Sequence, residues 1–508
     1  VTIRQAIRPS ASPRRLHREH PGIIVGVVLV CQLMVTLDAT IVTIALPQIG
    51  DSIGFSTADL SWVLNAYTLT FGGLLLLGAR AGDILGRRAT LVYGVGLFTI
   101  ASLIGGFAQN PGELLLARAA QGVGSALASP AALALLMTTM REGRERTRAI
   151  AWYAAVSVGG SAVGLIAGGL LVEWVSWRWV FLVNVPIGIA EVIAARMVIR
   201  ETPRVHGRFD LAGGLTSTIG MAALVYGFVR AATAGWSDPQ TIIAFLVGVV
   251  LLSAFVLIEQ RAESPITPLR LFADRDRTIS YIARLFLVAG MFGMFFFLSQ
   301  FLQDVLGYSP LDTGLAFLPL TIAVFVSSQF TARLLVERFG SKILMVAGIA
   351  LSTVGLFWLS HLSAGSGYIS VVGPLLCFGI GNGVAFVPLT TIALAGVPAQ
   401  DAGAASGLVN VMQQVGGSLG LAILVTIFGT ASRRALDHAP AGLSAAEAAH
   451  HAFVAGATRA FQVGTLFLLV TLALLAFAIK GTPPLKPEKD DELLEEVGAT
   501  DPIGVSSS

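Results

Sequence analysis

A carboxylate and a guanidinium are among the few charges that stand inside long apolar runs. Asp38 lies in the apolar run 22–46, and Arg118 lies in the run 113–138. A buried carboxylate costs several kcal/mol unless it is paired, protonated or wet. Such a group can be poised to exchange protons. Asp38 is 16 residues beyond residue 22, about 24 Å up at 1.5 Å per residue. Arg118 is 5 residues past 113, about 8 Å down from the opposite edge. In an apolar core about 30 Å thick, both fall in the outer half. The two can therefore meet, directly or through water. The chemistry expected is proton binding at Asp38 that weakens an Asp38–Arg118 pair. The alternatives are a plain helix–helix hydrogen bond for Asp38 and a structural hub for loop backbones for Arg118.

Four further groups of residues have informative types and spacing. Asp83, Gly86, Arg87 and Arg88 form a tight charged turn. Arginines that only set topology would need neither the acid nor the glycine. Gly160, Gly164 and Gly168 recur every four residues on one helix face and allow close backbone approach, and Gly169 adds pliability. Asn410, Gln413 and Gln414, spaced i, i+3, i+4, make one polar stripe that must face protein or water. Asn65 and Thr68 follow the same logic. With Gln121 these are the expected lining of a cavity, interhelical bonding being the alternative. Phe292 and Phe296, in a run with Met294, Phe295 and Phe297, offer adaptable aromatic surface for lipophilic ligands. Five nearly consecutive residues cover every side of a helix, so more than half of that run must be core or lipid-facing. The adjacent His450 and His451 carry no assigned role.

The elements that must position these residues follow from composition. The chain has 508 residues, 55% hydrophobic and only 12% charged, against about 25% charged in a soluble domain. That excludes a soluble globular protein and points to a polytopic membrane protein. Apolar runs of span length fall at 22–46, 60–80, 90–108, 113–138, 149–172, 179–199, 211–231, 240–259, 279–303, 312–334, 342–361, 368–396, 403–429 and 459–480. The expected fold is an all-α bundle of fourteen transmembrane helices. The first run is too long for a signal-peptide core and reads as a retained span. With the N-terminus inside, 26 of the 33 Lys and Arg residues fall in inner segments. This bias places both termini in the cytoplasm of a bacterial plasma membrane. The longest outer loop is then 431–458.

An internal repeat organises the spans. Asp83–Arg88 and Glu337–Lys342 are offset by 254, Gly160/Gly164 and Gly416/Gly420 by 256, and Pro130 and Pro388 by 258. The boundaries expected are an N-terminal segment 1–21, a six-helix half 22–199, an inserted two-helix segment 200–277, a second half 278–480 and an acidic tail 481–508. Parallel six-span repeats with a site at their interface are a transporter architecture. None of the four lysines is followed by Ser or Thr, so there is no P-loop, and no HExxH motif occurs. The chain is read as no enzyme, without cofactors, and uphill movement would draw on a proton gradient. Its expected partners are small lipophilic substrates, protons and membrane lipids. Nucleic acid is excluded by a net charge of +3, and the chain is expected to act as a monomer.

At the level of motifs the sequence resembles the major facilitator superfamily, and most closely its 14-span drug:proton antiporters. The resemblance rests on Leu37–Pro47 in the first span, Gly78–Arg88 after the second and Arg118–Gly124 in the fourth. Trp177–Gly188 and Gln303–Gly314 complete it. It implies two six-helix halves around a central cavity, alternating access and export of lipophilic or cationic drugs. It also implies that the Asp83–Arg88 loop latches the halves in the outward-facing state, and a concrete partner is the start of span 13 near Ala402, where a helix dipole favours an anion. The glycine helix is implied to be a sliding interface between halves. Thr43, Ala79 and Leu165 stand where the family usually has Asn, Gly and Pro. Leu165 motivates a second reading, a uniporter or lipid translocator of the same fold without antiport. A non-transporting receptor or scaffold is a third, against which Asp38 and the gate loop weigh.

Overall fold

The computed structural model describes residues 21–140, 144–202, 204, 210–262, 265–363, 365–398, 401–438 and 443–480. Residues 1–20 and the acidic tail lie outside the described residues. Fourteen helices are long and apolar enough to cross a membrane. They are α1 (Gly22–Ile53), α2 (Asp59–Leu85), α3 (Arg87–Gly106), α4 (Pro111–Thr139), α5 (Arg148–Trp174), α6 (Trp179–Val198) and α7 (Leu211–Ala234). The remainder are α8 (Pro239–Arg261), α9 (Arg275–Val305), α10 (Pro310–Leu335), α11 (Ser341–Leu359), α12 (Ile369–Leu394), α13 (Ala402–Asp437) and α14 (Ala445–Ala478). Odd-numbered helices start at the arginine-rich end of the bundle, called the basic end below, and even-numbered ones start at the far end.

Local sequence explains the helix starts. Asn110 caps α4 by accepting from the Glu113 amide, with Pro111 at the first helical position. Asp238 and Pro239 do the same for α8, and Ser309 and Pro310 for α10. Each side chain satisfies an amide that has no intrahelical partner, and proline has none to satisfy. One expectation fails in this region. The segment 431–458 is not a long loop: α13 runs on to Asp437 and α14 already starts at Ala445. The cause is the Ser444–Glu447 capping box ahead of an alanine-rich run, which nucleates helix well before the apolar stretch begins.

The repeat is visible as repeated packing. Gly94 on α3 and Gly124 on α4 lie against each other's backbone, and Gly348 on α11 and Gly381 on α12 do the same. Gly160 and Gly164 on α5 pack on α1 at Leu33–Thr40, while Gly416 and Gly420 on α13 pack on α9 at Leu285 and Ala289. Gly86 (φ 105°) and Gly340 (φ 73°) occupy matching left-handed positions ahead of α3 and α11, which only glycine adopts cheaply.

Among the described residues the inserted pair attaches mainly along one seam. Gly214 on α7 meets Leu77 on α2, Thr218 meets Gly73 of α2, and the Phe228 carbonyl accepts from Thr426 on α13. α7 therefore covers the line where α2 and α13 meet. α8 packs on α7 and is the least buried of the fourteen, with a mean hydropathy of 2.9.

Candidate functional site

Asp38 and Arg118 do meet. Arg118 Nη1 donates to Asp38 Oδ2 at 2.5 Å, and both side chains are 0% exposed. The other carboxylate oxygen accepts from Gln121 Nε2 at 3.0 Å and Asn184 Nδ2 at 3.3 Å. Arg118 also donates to Gln121 Oε1 and, through Nε, to the Val63 carbonyl at 2.9 Å. Gln121 donates on to Ser102 Oγ, and the Arg118 guanidinium lies 4.4 Å over the Tyr67 ring. Five helices of the first half thus converge on one charge pair. Both oxygens of Asp38 are satisfied, which is what makes so buried a carboxylate tolerable.

Gln121 was expected to line a cavity, but it is wholly buried in this network, on the same face of α4 as Arg118. Ser102, Tyr67 and Asn184 were not singled out from sequence. Asn184 falls within the Trp177–Gly188 signature, which was the available signal. On the same face of α6, two turns on, Glu191 is buried beside the Cys31 thiol of α1.

The Asp83–Arg88 turn is built, and in this conformation its hydrogen bonds run to its own half. Asp83 pairs with Arg87 at 3.2 Å. Glu201, past the end of α6, accepts from the Arg88 and Ala89 amides at 3.1 and 3.0 Å and caps α3. Thr202 Oγ accepts from the Arg87 amide. Neither Glu201 nor Thr202 was singled out, because a linker residue carries no motif signal. At the start of α13, Asp401 instead takes a two-pronged contact from Arg270, at 2.6 and 2.8 Å. That guanidinium holds the Asp401 carboxyl below the usual carboxylate range, and the carboxylate raises Arg270.

Contacts between the halves cluster at the far end. Gln48 on α1 donates to Gln303 on α9, which donates to the Ile44 carbonyl. The Leu311 amide on α10 donates to Glu173 on α5. A Cβ at Gly169 would fall 2.6 Å from Leu311 Cα, and one at Gly314 would fall 2.4 Å from the Leu165 carbonyl. Gly160, Gly164 and Gly168 therefore pack on α1 within their own half, and it is Gly169 and Leu165 that touch the other half. At mid-depth Ser418 donates to Asn65 at 3.0 Å, and Gly72 lies against Gln414. Asn65 and Gln414 thus bridge the halves. Thr68 bonds back to its own helix and is buried. Toward the basic end a Cβ at Gly403 or Gly159 would meet nothing within 4 Å among the described residues. Away from the far end the contacts between the halves thin to the seam of α2 and α13, where Leu76 lies against Gly407 and Gly72 against Gln414, leaving a space between the halves beside that seam.

Its walls are polar at specific points. On the first half, Tyr153 donates to Gln32, which donates to Thr36. On the second, Asn410 is exposed, and Gln413 accepts from Arg284 at 3.0 Å. Phe292 packs on Gly417 and keeps partial exposure. Phe296 does not line this space: it is fully buried against Phe297.

Comparison with known proteins follows the same lines. A family model described as Major Facilitator Superfamily matches residues 28–421. The puromycin resistance protein pur8 of Streptomyces alboniger is 39% identical over 478 residues, 93% of each chain. The cephamycin export protein CmcT of Amycolatopsis lactamdurans is 37% identical, covering 90% of this chain and 94% of its own. Among solved structures, a bacterial homolog of the human lysosomal transporter Spinster superposes with a TM-score of 0.65 at 15% identity, over 91% of this chain and 97% of that one.

Proposed function

Because this chain belongs to the major facilitator superfamily, we propose that it is a drug-efflux transporter driven by proton antiport. Family and fold are those of a transporter rather than an enzyme. The proposed cargo is lipophilic drugs or toxic metabolites, cationic ones included. Relatives named for puromycin resistance, cephamycin export and multidrug resistance support that class. The basic end faces the cytoplasm of a bacterial plasma membrane in this reading, on the arginine bias.

The observation that carries proton coupling is the Asp38–Arg118 pair, buried where five helices converge. A proton on Asp38 removes the charge that holds Arg118, and with it the largest electrostatic tie among those helices. Glu191, on the same face of α6 as Asn184, offers a second acid on that half. Alternating access then has two states. In one, the far-end contacts at Gln48–Gln303 and Gly169–Leu311 hold and substrate enters from the cytoplasm. In the other, they part, substrate leaves and Asp38 takes up a proton. The Asp83–Arg88 turn then serves as the latch at the basic end.

Purified protein in liposomes loaded with a pH-sensitive dye tests this. Addition of a transported drug is expected to release protons from acid-loaded vesicles, and Asp38→Asn to abolish that release. Drug movement without proton flux in the wild type would favour the uniporter reading, which Leu165 in place of proline motivates.

A further inference from the structure

Among the described residues two arginines lie buried at membrane depth, and they are treated differently. Arg118 has a carboxylate. Arg284, on α9 and 4% exposed, has none within 4.0 Å among the described residues. Its Nη1 donates to Thr390 Oγ on α12 at 2.9 Å and its Nη2 to Gln413 Oε1 on α13 at 3.0 Å. Its Cζ sits 3.8 Å over the Phe386 ring, and its Nε has no acceptor. A guanidinium has five N–H donors in a planar fork. Two of these donors are used here, both on neutral groups. A buried cation with no counter-charge is costly to keep. The ring face and two neutral acceptors offset only part of that cost.

The position gives this cation access to the cavity. Arg284 is 9 residues into α9, about 14 Å from its start at the basic end. Its partner Gln413 is partly exposed, and Asn410, one turn nearer that end, is exposed. The stripe of α13 carrying these two lies between the residues that touch α2 (Gly407, Gln414) and those that touch α9 (Gly416, Gly420). It therefore faces the space between the halves. Two turns further along α9, Met291 and Phe292 provide apolar surface.

From this we infer that Arg284 is an anion subsite of the transport cavity, taking a carboxylate or equivalent oxyanion on an amphipathic substrate. Gln413 and Asn410 supply neutral hydrogen-bonding groups beside it, and Phe292 receives the lipophilic body. A fork with three unused donors suits the two oxygens of a carboxylate. The inference rests on the export reading above and narrows it: the preferred cargo is a lipophilic acid or zwitterion rather than a simple lipophilic cation.

The test uses full-length protein in detergent and two probes, rhodamine B, which has a free carboxylate, and its ethyl ester. Equilibrium binding is read by fluorescence polarisation, so the subsite is tested even if transport fails. The wild type is expected to bind the acid more tightly than the ester. Arg284→Gln is expected to weaken the acid about 10- to 100-fold, the range for a charge-assisted hydrogen-bonded pair, while leaving the ester within about threefold. Arg284→Lys should fall between, since it keeps charge but loses the fork. Equal wild-type affinity for acid and ester, or no binding of the acid, overturns the inference without any variant. An equal loss for both probes in Arg284→Gln also overturns it. Failure of the export reading shows separately, as absence of drug-dependent proton flux in liposomes.

Discussion

Replacing Asp38 by Asn keeps the side chain's size and removes its charge. In the wild type Asp38 Oδ2 lies 2.5 Å from Arg118 Nη1 in a site with no solvent exposure. Taking one partner from a buried pair costs about 3–5 kcal/mol, because the remaining charge is left uncompensated. Protonation of Asp38 during turnover makes the same change reversibly. A pH difference of two units supplies about 2.7 kcal/mol per proton. The driving force and the cost of loosening the pair are thus comparable in size, which is the condition for one to move the other. With one proton exchanged per drug, a difference of two pH units supports about 100-fold accumulation. In Asp38→Asn that ratio should collapse toward 1, while downhill drug exchange persists because the cavity walls at Gln32, Asn410 and Gln413 are untouched. The assay is drug accumulation in everted vesicles, acid inside, with counterflow as the control for a folded carrier. Accumulation at the wild-type ratio in Asp38→Asn would refute the coupling argument.

Other consequences follow from the same geometry. Gly169→Val places side-chain atoms where Leu311 Cα and the Pro310 carbonyl stand, so overpacking of about 1–3 kcal/mol should part the far end. Labelling of a cysteine introduced at Gln48, with Cys31 and Cys377 removed, should accelerate with an impermeant thiol reagent. Glu201→Ala removes the cap on the Arg88 and Ala89 amides and should cost about 1–2 kcal/mol, read as a lower thermal midpoint, with Glu201→Gln recovering part. Arg270 lowers the Asp401 carboxyl, so the stability it confers is present above the usual carboxylate range and fades as pH falls through and below it. The difference in thermal midpoint between wild type and Arg270→Gln should therefore be constant from neutral pH down to about 5 and vanish in stronger acid.

Lipid imposes hard rules, and that is why so much was legible. Every spanning segment must satisfy its own backbone, so length and apolarity alone located the fourteen helices. Charge is scarce at membrane depth, so Asp38 and Arg118 stood out and their similar depth predicted a meeting that the structure contains. The glycine offsets showed the repeat because close helix packing demands small residues at fixed spacing. Capping was less visible: α14 starts well ahead of its apolar run because Ser444 and Glu447 nucleate it.

What depended on tertiary structure is which face each residue presents, and to which partner. Gln121 and Phe296 have the composition of cavity residues, yet rotation of α4 and α9 turns them into the protein. Glu201 and Asp401 sit at helix boundaries that sequence marks poorly, and each found a partner from a distant segment. Arg284 was visible as a basic residue within a span, but only the packing of α9, α12 and α13 leaves it among neutral groups. The sequence by itself therefore determined the spans, the repeat and the buried pair of Asp38 and Arg118, because these follow from solvent and spacing along the chain. Tertiary structure decided the rest, because a side chain's role at membrane depth depends on whether a countercharge from another helix reaches it.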